Sequence, residues 1–168
     1  MKSKQNVILI GMPGVGKSTV GVLLAKRMGY SFLDTDIYIQ TREGEQLQAI
    51  INRRGIDYFC RMEESHVLSI ACDSHVIATG GSVVYGRKAM AHLKQLGVVI
   101  HLDLELAALK ERLGNLDSRG VVMVPGQGLD SLYDERQPLY HRYADSTVTC
   151  GGLSPDQVVQ QLHAVLIR

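Results

Sequence analysis

At 168 residues with a formal net charge of +1, the chain has room for one domain with a proper core and too little for two of ordinary size. The balanced charge argues against a general nucleic-acid-binding field, and no run approaches the ~18 apolar residues of a membrane span. Cys60, Cys72 and Cys150 are odd in number and lack C-x-x-C spacing, which argues against a disulfide framework or a zinc site and suits a reducing cytoplasm.

The basic start, Met1 to Asn6, leads into the short apolar run Val7-Ile8-Leu9-Ile10, which reads as a buried strand rather than a signal-peptide core. Gly11-Met12-Pro13-Gly14-Val15-Gly16-Lys17-Ser18-Thr19 follows and fits the phosphate-loop pattern G-x-x-x-x-G-K-[ST]. Val20 to Met28 then reads as a helix, so the motif has the strand before it and the helix after it that its chemistry needs. The glycines let backbone N–H groups curl around a phosphate, and the helix points its positive end at the same anion. Lys17 reaches the β- and γ-phosphates in such a loop, and the Ser18 hydroxyl ligates Mg²⁺. ATP and Mg²⁺ are the expected cofactors, with Gly14, Val15, Gly16, Lys17, Ser18 and Thr19 holding the nucleotide.

Ser31-Phe32-Leu33 is the next strand, and it ends in Asp34-Thr35-Asp36. Two carboxylates at a strand's C-terminal end lie where open α/β sheets bind ligands; the plainer reading is an Asx turn or N-cap leading into Ile37-Tyr38-Ile39. Residues 40–72 read as helical, with Gly55 as the break. Arg61, with Glu64 or Asp57, makes an ordinary helix-surface pair there. Residues 74–79 form a strand followed at once by Gly80-Gly81-Ser82, where paired glycines allow a ligand close to the backbone or form a tight turn.

A helix over 87–96, a strand over 98–102 and a helix over 104–113 come next. Residues 115–128 break all periodicity and suit a mobile lid, with Arg119 and the apolar run Val121-Val122-Met123-Val124 inside it. That run either caps a closed site or packs on another molecule. Residues 129–143 read as a helix that Pro138 kinks or breaks, and 146–149 as a last strand. The final helix opens Ser154-Pro155-Asp156-Gln157, a capping-box sequence with proline in the first turn. The six histidines are scattered without ligand spacing. Five strands alternating with helices predict a three-layer α/β/α domain spanning residues 1–168 around a parallel sheet.

The ordered set resembles the shikimate kinase family, small phosphate-loop kinases of the nucleoside-monophosphate-kinase fold group. The likeness runs from about residue 6 to residue 160. It is carried by the phosphate loop, Leu33-Asp34-Thr35-Asp36, Phe59 with Glu63, Gly80-Gly81, and Arg136-x-Pro138-Leu139-Tyr140. The resemblance implies that Lys17 and Ser18 serve ATP and Mg²⁺ and that Asp34 sits near the metal. It further implies that Asp36 orients or deprotonates the acceptor hydroxyl and that Gly80 and Gly81 offer backbone N–H groups to the acceptor. Arg112 would lie near the adenine, Arg119 would be the lid arginine over the transferred phosphate, and Arg136 would clamp the acceptor carboxylate. Such a protein is a cytoplasmic monomer acting on a small hydroxy acid, with no nucleic-acid or membrane partner.

Two positions depart from that pattern: Cys60 stands where the family carries an arginine, and Ser82 where it carries a third glycine. Arg61 is one step on, about 100° around a helix, and does not replace the missing cation directly. Losing one charge-assisted hydrogen bond is worth about 1.5–3 kcal/mol, enough to change acceptor preference but not to end kinase chemistry. Shikimate remains an acceptor if Arg53, Arg54 or Arg61 swings in. A zwitterionic hydroxy amino acid such as homoserine is favoured if none does. Rival readings are a nucleotide-binding regulator without a small acceptor, a nucleoside-monophosphate kinase and a binding protein with a degenerate site.

Overall fold

The computed structural model describes residues 5–114 and 121–167. Five parallel strands lie in the order β2-β3-β1-β4-β5: β1 Asn6–Ile10, β2 Ser31–Asp34, β3 His75–Ala78, β4 Gly97–Asp103 and β5 Ser146–Thr149. The helices are α1 Lys17–Met28, α2 Thr35–Glu43, α3 Leu47–Arg54, α4 Ile56–Leu68, α5 Arg87–Leu96, α6 Leu106–Leu113, α7 Leu129–Tyr143 and α8 Pro155–Leu166. This is the expected three-layer α/β/α architecture. β1 is buried throughout because it is central and covered on both faces, which is why it reads as an unbroken apolar run.

Register places the functional loops together. Leu9 pairs with Ala78 and with Ile100, and Ala78 pairs with Asp34, so the ends of β1, β2 and β3 lie flush at one edge of the sheet. A parallel sheet sends every strand's C-terminus the same way, so the phosphate loop, Asp34 and Gly80 open onto one crevice. Thr79 draws the edge tighter, its hydroxyl donating to Leu9 O at 2.9 Å.

Two elements differ from the sequence expectation. Helix begins at Thr35 rather than near residue 40, because the Asp34 carboxylate accepts from the backbone N–H groups of Asp36 and Ile37 and caps α2. Pro138 lies inside α7, which runs on to Tyr143. Leu132, Arg136 and Tyr140 are buried on both sides of the proline, and that packing outweighs the lost backbone bond. The break at Gly55 and the capping box of Ser154 with Gln157 are as expected. The mobile-lid expectation falls partly outside the described residues; Val121 to Gly128 is irregular chain leading into α7.

Glu64, read from sequence as a partner for Arg61, has another use. Its Oε2 accepts from Lys88 N at 3.0 Å and Ala89 N at 3.3 Å, so α4 caps the first turn of α5.

Candidate active site

The phosphate loop is a backbone device. Gly14 at φ 82° and Gly16 at φ 102° hold conformations that side chains resist, and Gly16 serves as N-cap of α1. Lys17 is the first helical residue. Its Nζ folds back to donate to Gly11 O at 2.7 Å and Met12 O at 2.9 Å. Burial draws its pKa down to about 8, with Asp36 and Asp34 pulling it up and Arg136 pushing it down. Arg112, from the last turn of α6, donates to Val15 O at 3.1 Å, so it braces the loop from outside. Thr19, Val15 and Arg112 also border a slot of about 170 Å³ lined by Cys150, Leu153, Pro155 and Val158.

The Ser18 hydroxyl donates to Asp34 Oδ2 at 2.6 Å, while Asp34 Oδ1 caps α2. A hydroxyl beside a carboxylate at the mouth of a phosphate loop is an oxygen donor set that fits Mg²⁺, which keeps most of its waters and takes the rest of its shell from phosphates. Among the described residues no group of three His, Cys, Asp or Glu side chains forms a metal cage.

Asp36 stands on the first turn of α2, across the crevice from Lys17. Burial, with Asp34 behind it, pushes its carboxyl up to about 6, and Lys17 opposes the rise. Gly80 and Gly81 follow β3. A side chain at Gly80 would come within 2.7 Å of Asp36 Oδ1, and one at Gly81 within 2.8 Å of Arg136 Nη1, so both positions require glycine for close approach rather than for backbone angle. Arg136, on α7, is 1% exposed, and no carboxylate of the described residues pairs with it. Its Nη2 donates to Val122 O at 2.6 Å and its Nε to Tyr85 Oη at 3.1 Å.

Several residues named in the sequence without a role contribute to the site. Within the apolar run Val122 is buried in a small cluster with Ile39, Leu47, Ile50, Phe59 and Met62, while Val124 is 61% exposed, so the run is divided between the crevice and the surface. Glu63 is 2% exposed and takes a 2.7 Å hydrogen bond from Ser82 Oγ. Burial pushes its carboxyl up to about 7; Asp36 adds to the rise, while Ser82 and Arg136 oppose it. The signal was present: Phe59, Glu63 and Val67 recur at i, i+4, i+8, which sets a carboxylate in the middle of an apolar face. Tyr140 donates to Gly81 O at 2.7 Å and stacks on buried His101. Arg119, expected over the transferred phosphate, lies outside the described residues.

One cavity of about 410 Å³ joins the pieces, bordered by Lys17 and Ser18 on one side and by Asp36, Gly80, Gly81 and Arg136 on the other. An anion cradle and a second polar site sharing one cavity at the carboxyl edge of a parallel sheet define a phosphate-loop phosphotransferase. The family model of shikimate kinase matches residues 13–167. The chain is 34% identical to the shikimate kinase of Thermodesulfovibrio yellowstonii over 161 residues, covering 94% of this chain and 92% of that one. It is 39% identical to the shikimate kinase of Synechococcus sp. over 174 residues, covering 99% and 90%. The structure of the Acinetobacter baumannii shikimate kinase in complex with shikimate superposes with a TM-score of 0.88 at 28% identity, covering 97% and 93% of the two chains. The chain belongs to the shikimate kinase family.

Proposed function

We propose that this chain transfers the γ-phosphoryl group of ATP to a hydroxyl of a small carboxylate acceptor, with shikimate, the acceptor named for its relatives, as the first to test. The observation that carries the reading is Arg136, a buried guanidinium with an unfilled edge facing the same cavity as the phosphate loop. A buried cation without a carboxylate partner calls for an anion from outside. The site residues divide between the two substrates. Gly14, Val15, Gly16, Lys17, Ser18 and Thr19 wrap the phosphates, and Arg112 with the slot beside it receives the base. Ser18 and Asp34 would hold Mg²⁺, which would screen the phosphate charge and orient the transferred group. Gly80 and Gly81 present backbone to the acceptor, and Arg136 holds its carboxylate.

The chemistry is positioning and charge neutralisation. Asp36 takes the proton of the attacking hydroxyl as its oxygen bonds to the γ-phosphorus. The bond from that phosphorus to the β–γ bridging oxygen breaks, its electron pair leaves with ADP, and the proton passes from Asp36 to solvent. Lys17 steadies the charge on the phosphates. Arg119 is proposed as the lid cation that closes over them, and residues 115–128 as the moving part of the single domain.

Purified protein with ATP, Mg²⁺ and shikimate should release ADP and form a phosphate monoester visible by phosphorus NMR. ATP hydrolysis unaffected by Asp36→Ala or Arg136→Ala, with no phosphorylated acceptor from a panel of small hydroxy acids, would sink the reading in favour of a nucleotide-binding regulator.

A further inference from the structure

The two positions that depart from the family pattern, Cys60 and Ser82, both bear on one buried carboxyl group in the folded protein. Glu63 is 2% exposed and takes the Ser82 hydroxyl on Oε2 at 2.7 Å. Cys60 lies one turn before it on α4, and residues three apart on a helix are neighbours. Burial pushes the Cys60 thiol up to about 11 and the Glu63 carboxylate adds to the rise, so position 60 supplies no cation. No nearby arginine takes its place. Arg53 pairs with Glu45, Arg54 lies over the Tyr58 ring, and Arg61 is exposed. Among the described residues the Ser82 hydroxyl is the one hydrogen-bond donor to Glu63.

Ser82 closes the turn Gly80-Gly81-Ser82, and three helices hold that turn by one residue each. Gly80 N donates to Thr35 Oγ1 of α2 at 3.1 Å, Tyr140 Oη of α7 donates to Gly81 O at 2.7 Å, and Ser82 donates to Glu63 of α4. Ser82 also opens the 3₁₀ turn Val83–Tyr85, where Tyr85 N donates to Ser82 O at 3.1 Å. Tyr85 Oη in turn accepts from Arg136 Nε at 3.1 Å. The backbone at Ser82, φ −83° and ψ −8°, is that of the third residue of a type I turn and is open to most residues. What serine adds at this position is therefore its hydroxyl.

We infer that Ser82 is a positioning residue for the acceptor: its hydroxyl holds Glu63 where a cation at position 60 is lacking, and by pinning the turn to α4 it sets the Gly81 backbone and, through Tyr85, the Arg136 guanidinium. Cys60 and Ser82 form one compensated change, and the acceptor class of the relatives is kept. This rests on the kinase reading above and adds a residue to it.

The test is a double-mutant cycle of Ser82→Ala and Cys60→Arg in the intact protein, with ATP, Mg²⁺ and shikimate. A depression of about 300 Å³ beside Cys60, bordered by Tyr85 and Gly86, has room for the longer side chain. Ser82→Ala should raise the shikimate KM about 10-fold, the lower end for a hydrogen bond to a charged group, and leave kcat and the ATP KM within about twofold. With arginine at position 60 the same substitution should cost no more than about threefold, because changes that share a partner do not add. ATP-induced thermal stabilisation of each variant reports that the fold and nucleotide site are intact. Urea midpoints of the same variants read the coupling without turnover. An unchanged shikimate KM in Ser82→Ala, a parallel rise in the ATP KM, or additive effects in both the kinetic and the urea cycle overturns the inference and leaves the kinase reading standing. ATP binding with no acceptor phosphorylated overturns both.

Discussion

At the scale of single residues, the site sets charges against solvation. Asp36 carries a pKa of about 6 against an ordinary 3.8 because burial penalises its anion. The folded protein holds that proton where the unfolded chain releases it, so the associated stability is complete below pH ~4 and is lost as pH rises through ~6. Asp36→Asn should therefore raise Tm at pH 8, on the order of 2–4 °C per kcal/mol recovered in a chain of this size. The same variant should lose roughly 10²–10⁴-fold in kcat, the usual worth of a positioned base. Higher stability together with lost turnover, read by thermal melts and ADP release, is the expected pair. An unchanged kcat would remove Asp36 from the proton transfer. Lys17→Met should likewise cost about 10²–10³-fold in kcat, as removal of a preorganised charge donor does.

At the scale of elements, the acceptor side is assembled by contacts between helices distant in sequence. Glu64 of α4 caps α5, and Tyr140 of α7 holds the Gly81 carbonyl after β3. Glu64→Ala should cost about 1 kcal/mol, the ordinary worth of a cap, and should leave kcat unchanged because Glu64 faces away from the cavity. A denaturant melt checks the first part and a steady-state assay the second. Gly81→Ala should behave in the opposite way. Its methyl group would press on Arg136 Nη1 at 2.8 Å and on Pro13 Cδ of the phosphate loop at 3.0 Å, so the expected result is a raised acceptor KM with a smaller loss of ATP affinity.

These contacts mark the limit of what the sequence could tell. Phosphate-loop chemistry is local: glycines, lysine and serine sit within nine residues, between a strand and a helix whose periodicities are plain. Asp34 was legible as a cap, and because one oxygen caps α2 while the other takes the Ser18 hydroxyl, the cap does not compete with the proposed metal role. Glu64 was illegible because its partners are the backbone N–H groups of a helix 24 residues on. Pro138 was read as a kink or break because local rules see a missing N–H and cannot see Tyr140 anchoring the helix beyond it. Glu63 was quoted as part of the family pattern, yet its consequence appeared only when β3 brought Gly80 and Ser82 against it.

At the scale of the whole molecule, the roles proposed for two buried groups of opposite kind set the expected working range. Asp36 must be ionised to accept a proton, so turnover rises as pH climbs through about 6. Lys17 must be protonated to neutralise phosphate, so turnover falls above about 8. The profile of kcat/KM, which reports the free enzyme, should be bell-shaped between those limits. A flat profile from pH 5 to 9 would show that neither group titrates in the rate-determining step. Among the described residues no helix is long and apolar enough to cross a membrane.

The divided carboxylate of Asp34 bears on the order in which substrates arrive. One oxygen fixes the first turn of α2, and with it Asp36, whether or not anything occupies the phosphate loop. Among the described residues the other oxygen is held by the Ser18 hydroxyl alone, a bond that an arriving ion can exchange without disturbing the helix. On the proposed division of the site, the acceptor half of the crevice would be shaped before nucleotide enters, and neither substrate would have to wait for the other. Initial-rate plots should intersect in the random-order pattern, and calorimetry should detect acceptor binding in the absence of ATP. Strict nucleotide-first kinetics would mean that closure of the segment before α7, rather than α2, completes the acceptor site.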